Sequence, residues 1–371
     1  MKHNHVLFIT LKVFSATGGI EKVCRVVGKA LYEYGVENNK SVQIYTMHGN
    51  KEAVDDNRYF PSEIFRTFGG RRIHCILASL RKGFSSRIVI MSHINLLLIG
   101  WMIKKISPST KIILFTHGIE VWKTLNPFKK MMLKSCDEII AVSRFTADKL
   151  QELHNIPSSK VDVMNNCLDP FLPLPDDEMH RTNLRKRYGF SESDKILFTL
   201  TRLSAKERYK GYDIVMKALV NLKEQHPGMR YLLSGSYDKE EKEYLDKLIS
   251  SLSLSSQVVM TGYVADEELA AHFSMADIYV MPSMKEGFGI VFIEAMYYGL
   301  PVIAGNKDGS VDALRNGQLG LLVDPLDENA IQAAIEKMLA NRSAYKPDRG
   351  LLLKNFSYDG YKLKLQNIFS N

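Results

Sequence analysis

Residues 277–294 read Asp277-Ile278-Tyr279-Val280-Met281-Pro282-Ser283-Met284-Lys285-Glu286-Gly287-Phe288-Gly289-Ile290-Val291-Phe292-Ile293-Glu294. The opening run, 277–282, is short, apolar and rich in β-branched and aromatic side chains, which predicts a buried strand. A loop with two glycines follows, and an apolar helix is expected to start near Gly289-Ile290. Strand, glycine loop and helix make one βα unit, and the same alternation recurs along the chain, so the expected fold class is α/β with parallel sheets.

Working outward, the first half offers strands at 6–11, 42–47, 87–92, 111–116, 138–142 and 161–164, with helices such as 21–34 and 143–153 between them. Ser143 is placed to cap the second of these helices, its hydroxyl accepting a free amide of the first turn. The second half offers strands at 195–200, 231–234, 258–261, 277–282, 302–305 and 320–323, and a closing helix over 356–369. Between the halves, Pro170 to Pro175 holds three prolines in six residues, with Asp176-Asp177-Glu178 after it, which reads as a linker. The expected architecture is two Rossmann-like β/α/β domains, 1–172 and 173–371. They would face each other across a deep cleft at the carboxyl ends of both sheets.

A length of 371 residues is too great for one hydrophobic core and ordinary for two. With 45% apolar and 24% charged residues, disordered and low-complexity classes are excluded. The longest apolar run, 94–103, includes Asn95 and Gly100 and stops at Lys104-Lys105, well short of the roughly 18–20 residues that span a bilayer. Only 6–11 precedes Lys12, so no secretory signal is expected. Cys24, Cys75, Cys136 and Cys167 form no Cys-x-x-Cys pair and read as buried free thiols in a reducing compartment, the cytoplasm. The net charge of +8 is uneven: residues 1–180 hold 24 Lys+Arg against 17 Asp+Glu, the remainder 25 against 24. From Ile64 to Ile90 there are six bases (Arg66, Arg71, Arg72, Arg81, Lys82, Arg87), no acid, and Phe65, Phe68 and Phe84 among them. Such a segment can hold a peripheral protein on an anionic leaflet or collect an acidic substrate; a plainer reading is a solvated helix face beside core phenylalanines.

The chemistry concentrates in four places. In the 285–294 segment, glycines let the backbone approach a ligand and free amides at the helix start favour phosphate or sugar oxygens. Glu286 at the helix entrance and Glu294 inside it reach different parts of an elongated ligand, and a carboxylate suits a vicinal diol. The plainer reading is an acid favouring the helix dipole and an exposed helical glutamate. Thr201-Arg202-Leu203 follows a strand, and Tyr209-Lys210-Gly211-Tyr212-Asp213 opens the next helix. Arg202 and Lys210 there suit a diphosphate, one as a fork and one as a point charge. Thr17-Gly18-Gly19-Ile20-Glu21 follows the first strand; its glycines can close over a sugar phosphate or simply make a tight turn. Neither Gly-x-Gly-x-x-Gly nor Gly-Lys-Ser/Thr occurs, which argues against a dinucleotide or P-loop site. Finally, Thr116-His117-Gly118, with Glu120 beyond, puts His117 at a strand end, where it can donate to a sugar hydroxyl or polarise a reacting centre, or else be structural. Asn165-Asn166 and Asp308-Gly309-Ser310 point more weakly to a cleft rim. No His/Cys/Asp cluster has metal-ligand spacing and no Gly-x-Ser-x-Gly elbow occurs. Neither a metal, a cofactor nor nucleic acid is expected.

Taken together these residues resemble the glycosyltransferase family 4 group, retaining enzymes of the GT-B fold. The likeness covers nearly the whole chain. It rests on Gly18-Gly19-Ile20-Glu21, His117-Gly118, Val142-Ser143, Asn165 with Asp169, Arg202-Leu203 with Lys210-Gly211 and, most specifically, Glu286 through Glu294. The resemblance implies that Arg202 and Lys210 hold the diphosphate of a nucleotide-sugar and Glu294 its ribose. Glu286, with the loop Gly287, Phe288, Gly289 and Ile290, would hold the donor sugar. His117 would lie near the reacting centre, and Gly18-Gly19 near phosphate and acceptor. The chain departs from the family pattern at Thr201, Asn166 and Asp308, where glycine is usual. The Arg202-to-Lys210 step is also long, which leaves Lys206 and Arg208 as substitutes. By resemblance the activity is metal-independent hexosyl transfer, with retention, from a nucleoside-diphosphate sugar to a glycan or lipid-linked acceptor. The setting implied is bacterial lipopolysaccharide, capsule or exopolysaccharide synthesis at the inner face of the cytoplasmic membrane, and the last helix, about 356–371, would cross back to the first domain. Two alternatives stand beside it, a nucleotide-sugar 2-epimerase of the same fold and a non-catalytic partner module. Intact Arg202, Lys210, Glu286 and Glu294 weigh against the second.

Overall fold

Runs such as Lys111–Thr116 and Lys195–Leu200 place large apolar side chains on both faces of the chain, and only a sheet covered on both sides buries them. The computed structural model, which describes residues 3–14, 18–49, 57–174 and 178–370, meets that demand twice. The chain divides into two compact units, Met1–Pro170 with Ser357–Asn371, and Phe171–Phe356.

The first unit contains β1 (His3–Thr10), β2 (Ser41–Thr46), β3 (Phe65–Thr67), β4 (Ser86–Met91), β5 (Lys111–Thr116), β6 (Glu138–Ala141) and β7 (Val161–Val163). They form one sheet in the order β3-β2-β1-β4-β5-β6-β7, every pair parallel. The second unit contains β8 (Lys195–Leu200), β9 (Met229–Ser234), β10 (Val258–Gly262), β11 (Ile278–Met281), β12 (Val302–Gly305) and β13 (Leu321–Val323). These run β10-β9-β8-β11-β12-β13, again all parallel, with Ile278 and Tyr279 of β11 opposite Leu197 and Phe198 of β8. Leu7, Ile9, Val89 and Leu114 lie at the centre of one core, and Leu197, Leu233, Val280 and Ile303 at the centre of the other.

In both sheets the strand order reverses beside the first strand, between β1 and β4 and between β8 and β11. At such a reversal the connections leave toward opposite faces of the sheet and open a crevice at the carboxyl ends of the strands. That rule decides which loops can meet.

All twelve expected strands are present, most with ends shifted by one to three residues. β3 was not expected: three residues are too few to show a period, and Gly69-Gly70 follow at once. Ser143 caps Arg144–His154, its hydroxyl accepting the Thr146 amide at 3.2 Å. Thr17 of the glycine turn and Pro175-Asp176-Asp177 of the expected linker lie outside the described residues. The expected closing helix is Tyr358–Ser370, and a separate helix, Arg349–Phe356, precedes it. The last of them packs on the helix Gly19–Glu37 of its own unit. The Tyr358 hydroxyl donates to Glu33 at 2.8 Å, and Lys362 pairs with Glu33 and Glu37 at 3.2 Å each. All four cysteines are buried and free, and burial pushes the thiols of Cys24 and Cys136 up to about 12, so they act as small apolar fillers.

Candidate active site

The reversal between β8 and β11 gathers the charged residues of the second unit. The loop after β8 ends in a single tight turn, Arg208–Lys210, and Gly211 enters the helix Tyr212–Gln225 at φ 78°. Gly211 is needed there, because a Cβ would stand 2.5 Å from the Pro282 carbonyl oxygen at the end of β11. The Met284 amide donates to the Tyr209 carbonyl at 2.9 Å, tying the two loops together. So held, the Lys210 ammonium makes an ion pair with the Glu286 carboxylate, both side chains being largely buried. Burial works against the lysine charge, the facing carboxylate outweighs it, and the Lys210 pKa is raised.

The loop after β12 completes the arrangement. Asp308 accepts the Glu286 amide at 2.6 Å and the Ser310 amide at 2.9 Å, while the Gly309 amide donates to the Glu286 carbonyl at 2.8 Å. A Cβ at Gly309 would run into the Gly287 carbonyl oxygen. Gly289, at φ 84°, opens the helix Ile290–Tyr297, and Phe288 is buried against Phe356. Glu294 lies one turn into that helix and is 2% exposed, Glu286 9%. A glutamate that served only the helix dipole would stand in water, so the plainer reading of this pair fails. Both carboxylates act electrostatically on the buried Tyr279 hydroxyl, which burial raises well above the ordinary tyrosine range.

The two expected phosphate cations are not held alike. Arg202 is 68% exposed and pairs with Glu207 at 2.9 Å, whereas Lys210 rests on Glu286. Of the two substitutes, Arg208 is withdrawn: it pairs with buried Glu241 at 2.8 Å and lies 3.7 Å over the Tyr244 ring. Lys206 is exposed. Tyr209 also stands among these groups. The ammonium groups of Lys210 and Lys285 lie 5.6 and 5.4 Å from its ring. Burial raises its hydroxyl pKa, and Lys210, Glu207, Glu286 and Arg202 all act on it. Nothing in the sequence marks Tyr209 beyond its place before Lys210.

In the first unit, Gly18 caps the helix Gly19–Glu37 without a side chain, and the Glu21 carboxylate folds back over it, 2.5 Å from where a Gly18 Cβ would be. Gly19 has nothing crowding it. His117 follows β5; its backbone amide donates to Glu120, and its Nε2 lies 2.7 Å from the Ser92 carbonyl oxygen after β4. A carbonyl only accepts, so Nε2 carries the proton, and Nδ1 is left as the acceptor of the neutral ring. His93, unmarked by the sequence reading, lies beside it, its pKa lowered by burial and by the His117 and Lys129 charges against Glu120. Asn165 donates to the Val142 carbonyl at 3.0 Å, and Asp169 accepts the Tyr59 hydroxyl at 2.5 Å.

The basic segment divides. Phe68 is buried, Phe65 packs on Phe14 and Phe60, and Arg66 lies 4.8 Å over the Phe68 ring, so these three belong to the fold. On the helix Arg72–Phe84, by contrast, Ile73, Leu77 and Phe84 form one exposed stripe flanked by exposed Arg71, Arg72 and Arg81. Among the described residues, no helix is long and apolar enough to cross a membrane, and no group of three His, Cys, Asp or Glu could hold a metal ion.

Two Rossmann-like parallel sheets define the GT-B class of two-domain α/β proteins. Residues 17–171 match the model described as Glycosyltransferase Family 4, and residues 180–361 match that of Glycosyl transferases group 1; the chain belongs to the family 4 glycosyltransferases. It is 31% identical over 244 residues to the GDP-mannose-dependent alpha-(1-6)-phosphatidylinositol monomannoside mannosyltransferase of Mycolicibacterium smegmatis, covering 62% of this chain and 61% of that one. It is 29% identical over 221 residues to mannosylfructose-phosphate synthase of Agrobacterium fabrum, covering 58% and 48%. The match thus spans about half to three fifths of these relatives' length. Anabaena HepE, solved in complex with UDP and glucose, shares the fold at a TM-score of 0.81 and 16% identity over 99% of this chain and 100% of that one.

The Lys210–Glu286 pair makes a stability prediction. Lys210→Met leaves a buried carboxylate unpaired and should cost about 3 kcal/mol in urea unfolding of the second unit. Adding Glu286→Gln should recover more than half of that loss. Additive losses would mean the two groups do not depend on each other.

Proposed function

We propose that the chain is a retaining hexosyltransferase that moves a sugar from a nucleoside-diphosphate sugar to a hydroxyl of a glycan or lipid-linked acceptor. One observation carries the reading: an ammonium and a carboxylate paired at the β8–β11 reversal, with a second buried carboxylate eight residues on. In this reading the diphosphate draws Lys210 from Glu286, and exposed Arg202 adds a second cation from its loop. Glu286, released, accepts hydroxyls of the donor sugar beside the backbone of Gly287, Phe288, Gly289 and Ile290. Glu294 accepts the ribose hydroxyls. From the first unit, His117 offers Nδ1 as an acceptor near the reacting centre, and Gly18-Gly19 lie by phosphate and acceptor.

The bond from C1 to the phosphate oxygen breaks as the acceptor oxygen bonds to C1 on the same face. The acceptor proton passes to the leaving phosphate oxygen. No protein group is covalently modified, so catalysis consists of positioning and charge stabilisation, in which one key contact is worth about 10²–10³-fold. Lys210 and Arg202 supply the positive charge, and no added metal or cofactor is required in this account.

The exposed stripe of Ile73, Leu77 and Phe84 among arginines suits insertion into an anionic leaflet, each base near the surface adding about 1 kcal/mol. The mycobacterial relative is named for a lipid acceptor. The setting proposed is therefore bacterial surface polysaccharide (lipopolysaccharide, capsule or exopolysaccharide) built on lipid-linked intermediates, with the protein peripheral to the inner face of the cytoplasmic membrane.

The donor is tested by thermal shift with UDP, GDP, UDP-glucose and GDP-mannose. A nucleotide-sugar at 100 times its dissociation constant should stabilise the wild type by about 2.7 kcal/mol and Glu294→Ala far less. No shift with any of them, or equal shifts in both proteins, rejects the donor site; donor consumption without an acceptor would indicate an epimerase instead. The surface is tested by co-sedimentation. Wild type should bind phosphatidylglycerol vesicles and not phosphatidylcholine ones, and Ile73→Glu with Leu77→Glu should lower binding at least about tenfold. Unchanged binding by the variant rejects this face.

A further inference from the structure

The donor reading leaves one charged group unused although it touches the site. Asp308 follows β12 and is 1% exposed. Both of its oxygens are engaged, Oδ2 by the Glu286 amide and Oδ1 by the Ser310 amide, at 2.6 and 2.9 Å. The adjacent Gly309 amide returns a bond to the Glu286 carbonyl at 2.8 Å. The Glu286 residue is therefore gripped at its amide, at its carbonyl and, through Lys210, at its carboxylate. With its backbone held in this way, the orientation of the Glu286 side chain follows.

We propose that Asp308 is the positioning residue for Glu286, and that only its ionised form presents the Glu286 carboxylate to the donor sugar. The proposal rests on the donor-sugar reading of Glu286. An ionised carboxylate can accept both amides at once. A proton on one oxygen removes an acceptor and leaves the Glu286 or the Ser310 amide buried without a partner, which the loop can relieve only by moving. Burial pushes the Asp308 carboxyl up to about 7, the Glu286 amide and the Ser310 hydroxyl and amide opposing and the Glu286 charge reinforcing the rise. Lys210 acts through Glu286, Asp312 shares the short helix that begins at Ser310, and Lys307, the preceding residue, is held by Asp324 at 2.6 Å.

Above pH 7 Asp308 is ionised and the brace is closed; below it the brace opens. Sugar-nucleotide binding should therefore weaken as pH falls from 8 to 6, while free nucleotide, which needs Lys210 and Glu294 rather than a fixed Glu286, should change little.

Two measurements test this on the full chain. In a ¹⁵N-labelled sample, the Glu286 and Ser310 amide resonances should titrate together with a midpoint near 7 in wild type and stay flat in Asp308→Asn. The wild-type titration requires no variant, so a misfolded substitution cannot spoil it. Calorimetry with UDP and UDP-glucose, and with GDP and GDP-mannose, should show Asp308→Asn weakening the sugar nucleotide about tenfold or more and the free nucleotide less than about threefold. The pH dependence of sugar-nucleotide binding should also vanish in the variant. A Glu286 amide that does not titrate between pH 6 and 8 overturns the proposal, as does equal weakening of nucleotide and sugar nucleotide. If nothing binds wild type, the donor reading fails, and the amide titration still decides whether Asp308 braces Glu286.

Discussion

Neither Lys210 nor Glu286 would hold a charge so far from water alone. Taking an ammonium or a carboxylate out of solvent costs several kcal/mol, and each is tolerable here because the other faces it. That mutual dependence constrains the second unit. It requires the β8 and β11 loops to meet, which only the strand-order reversal allows. It requires backbones to approach closely enough that Gly211 and Gly309 admit no side chain. Behind the pair, buried Glu241 fixes Arg208 and Tyr212 on either side of Lys210, at 2.8 and 2.7 Å, so the turn that carries the lysine is itself anchored.

The pair also explains how a rigid site can be ready for an anionic ligand. A lone buried lysine would lose its proton, and a lone buried glutamate would gain one. Paired, both remain charged until a ligand exchanges one partner for another. In the function proposed above, a diphosphate replaces the carboxylate at Lys210, and sugar hydroxyls replace the ammonium at Glu286. The loop need not fold on binding, since the Glu286 amide and carbonyl are already held by Asp308 and Gly309, and the Met284 amide by the Tyr209 carbonyl.

Much of this was legible in the sequence, for identifiable reasons. Fully buried parallel strands such as Lys195–Leu200 read as continuous apolar runs, and the glycine loop between β11 and its helix is short enough that Glu286 and Glu294 stay close to their element ends. Other features depend on contacts between distant segments, which no local pattern encodes. Arg202 and Lys210 look equivalent in sequence, yet Glu207 takes one and Glu286 the other. The role of His117 turns on the Ser92 carbonyl, 25 residues away. Asp308 read as a lost glycine at a cleft rim, whereas the fold makes it an acceptor for the residue that matters most. The phenylalanines of the basic segment divide because position, not composition, decides that Phe68, directly after β3, is core and Phe84, at the end of the helix Arg72–Phe84, is surface.

The central claim is that Lys210 is lent to Glu286 and given up to a diphosphate. Its most direct test is the affinity of Glu286→Gln for a free nucleoside diphosphate and for the matching sugar nucleotide, measured by calorimetry. The account predicts opposite changes, with the free diphosphate binding about tenfold tighter because Lys210 is no longer held, and the sugar nucleotide weaker because its hydroxyls lose a charged acceptor. Weakening of both alike, or no change in either, would contradict it.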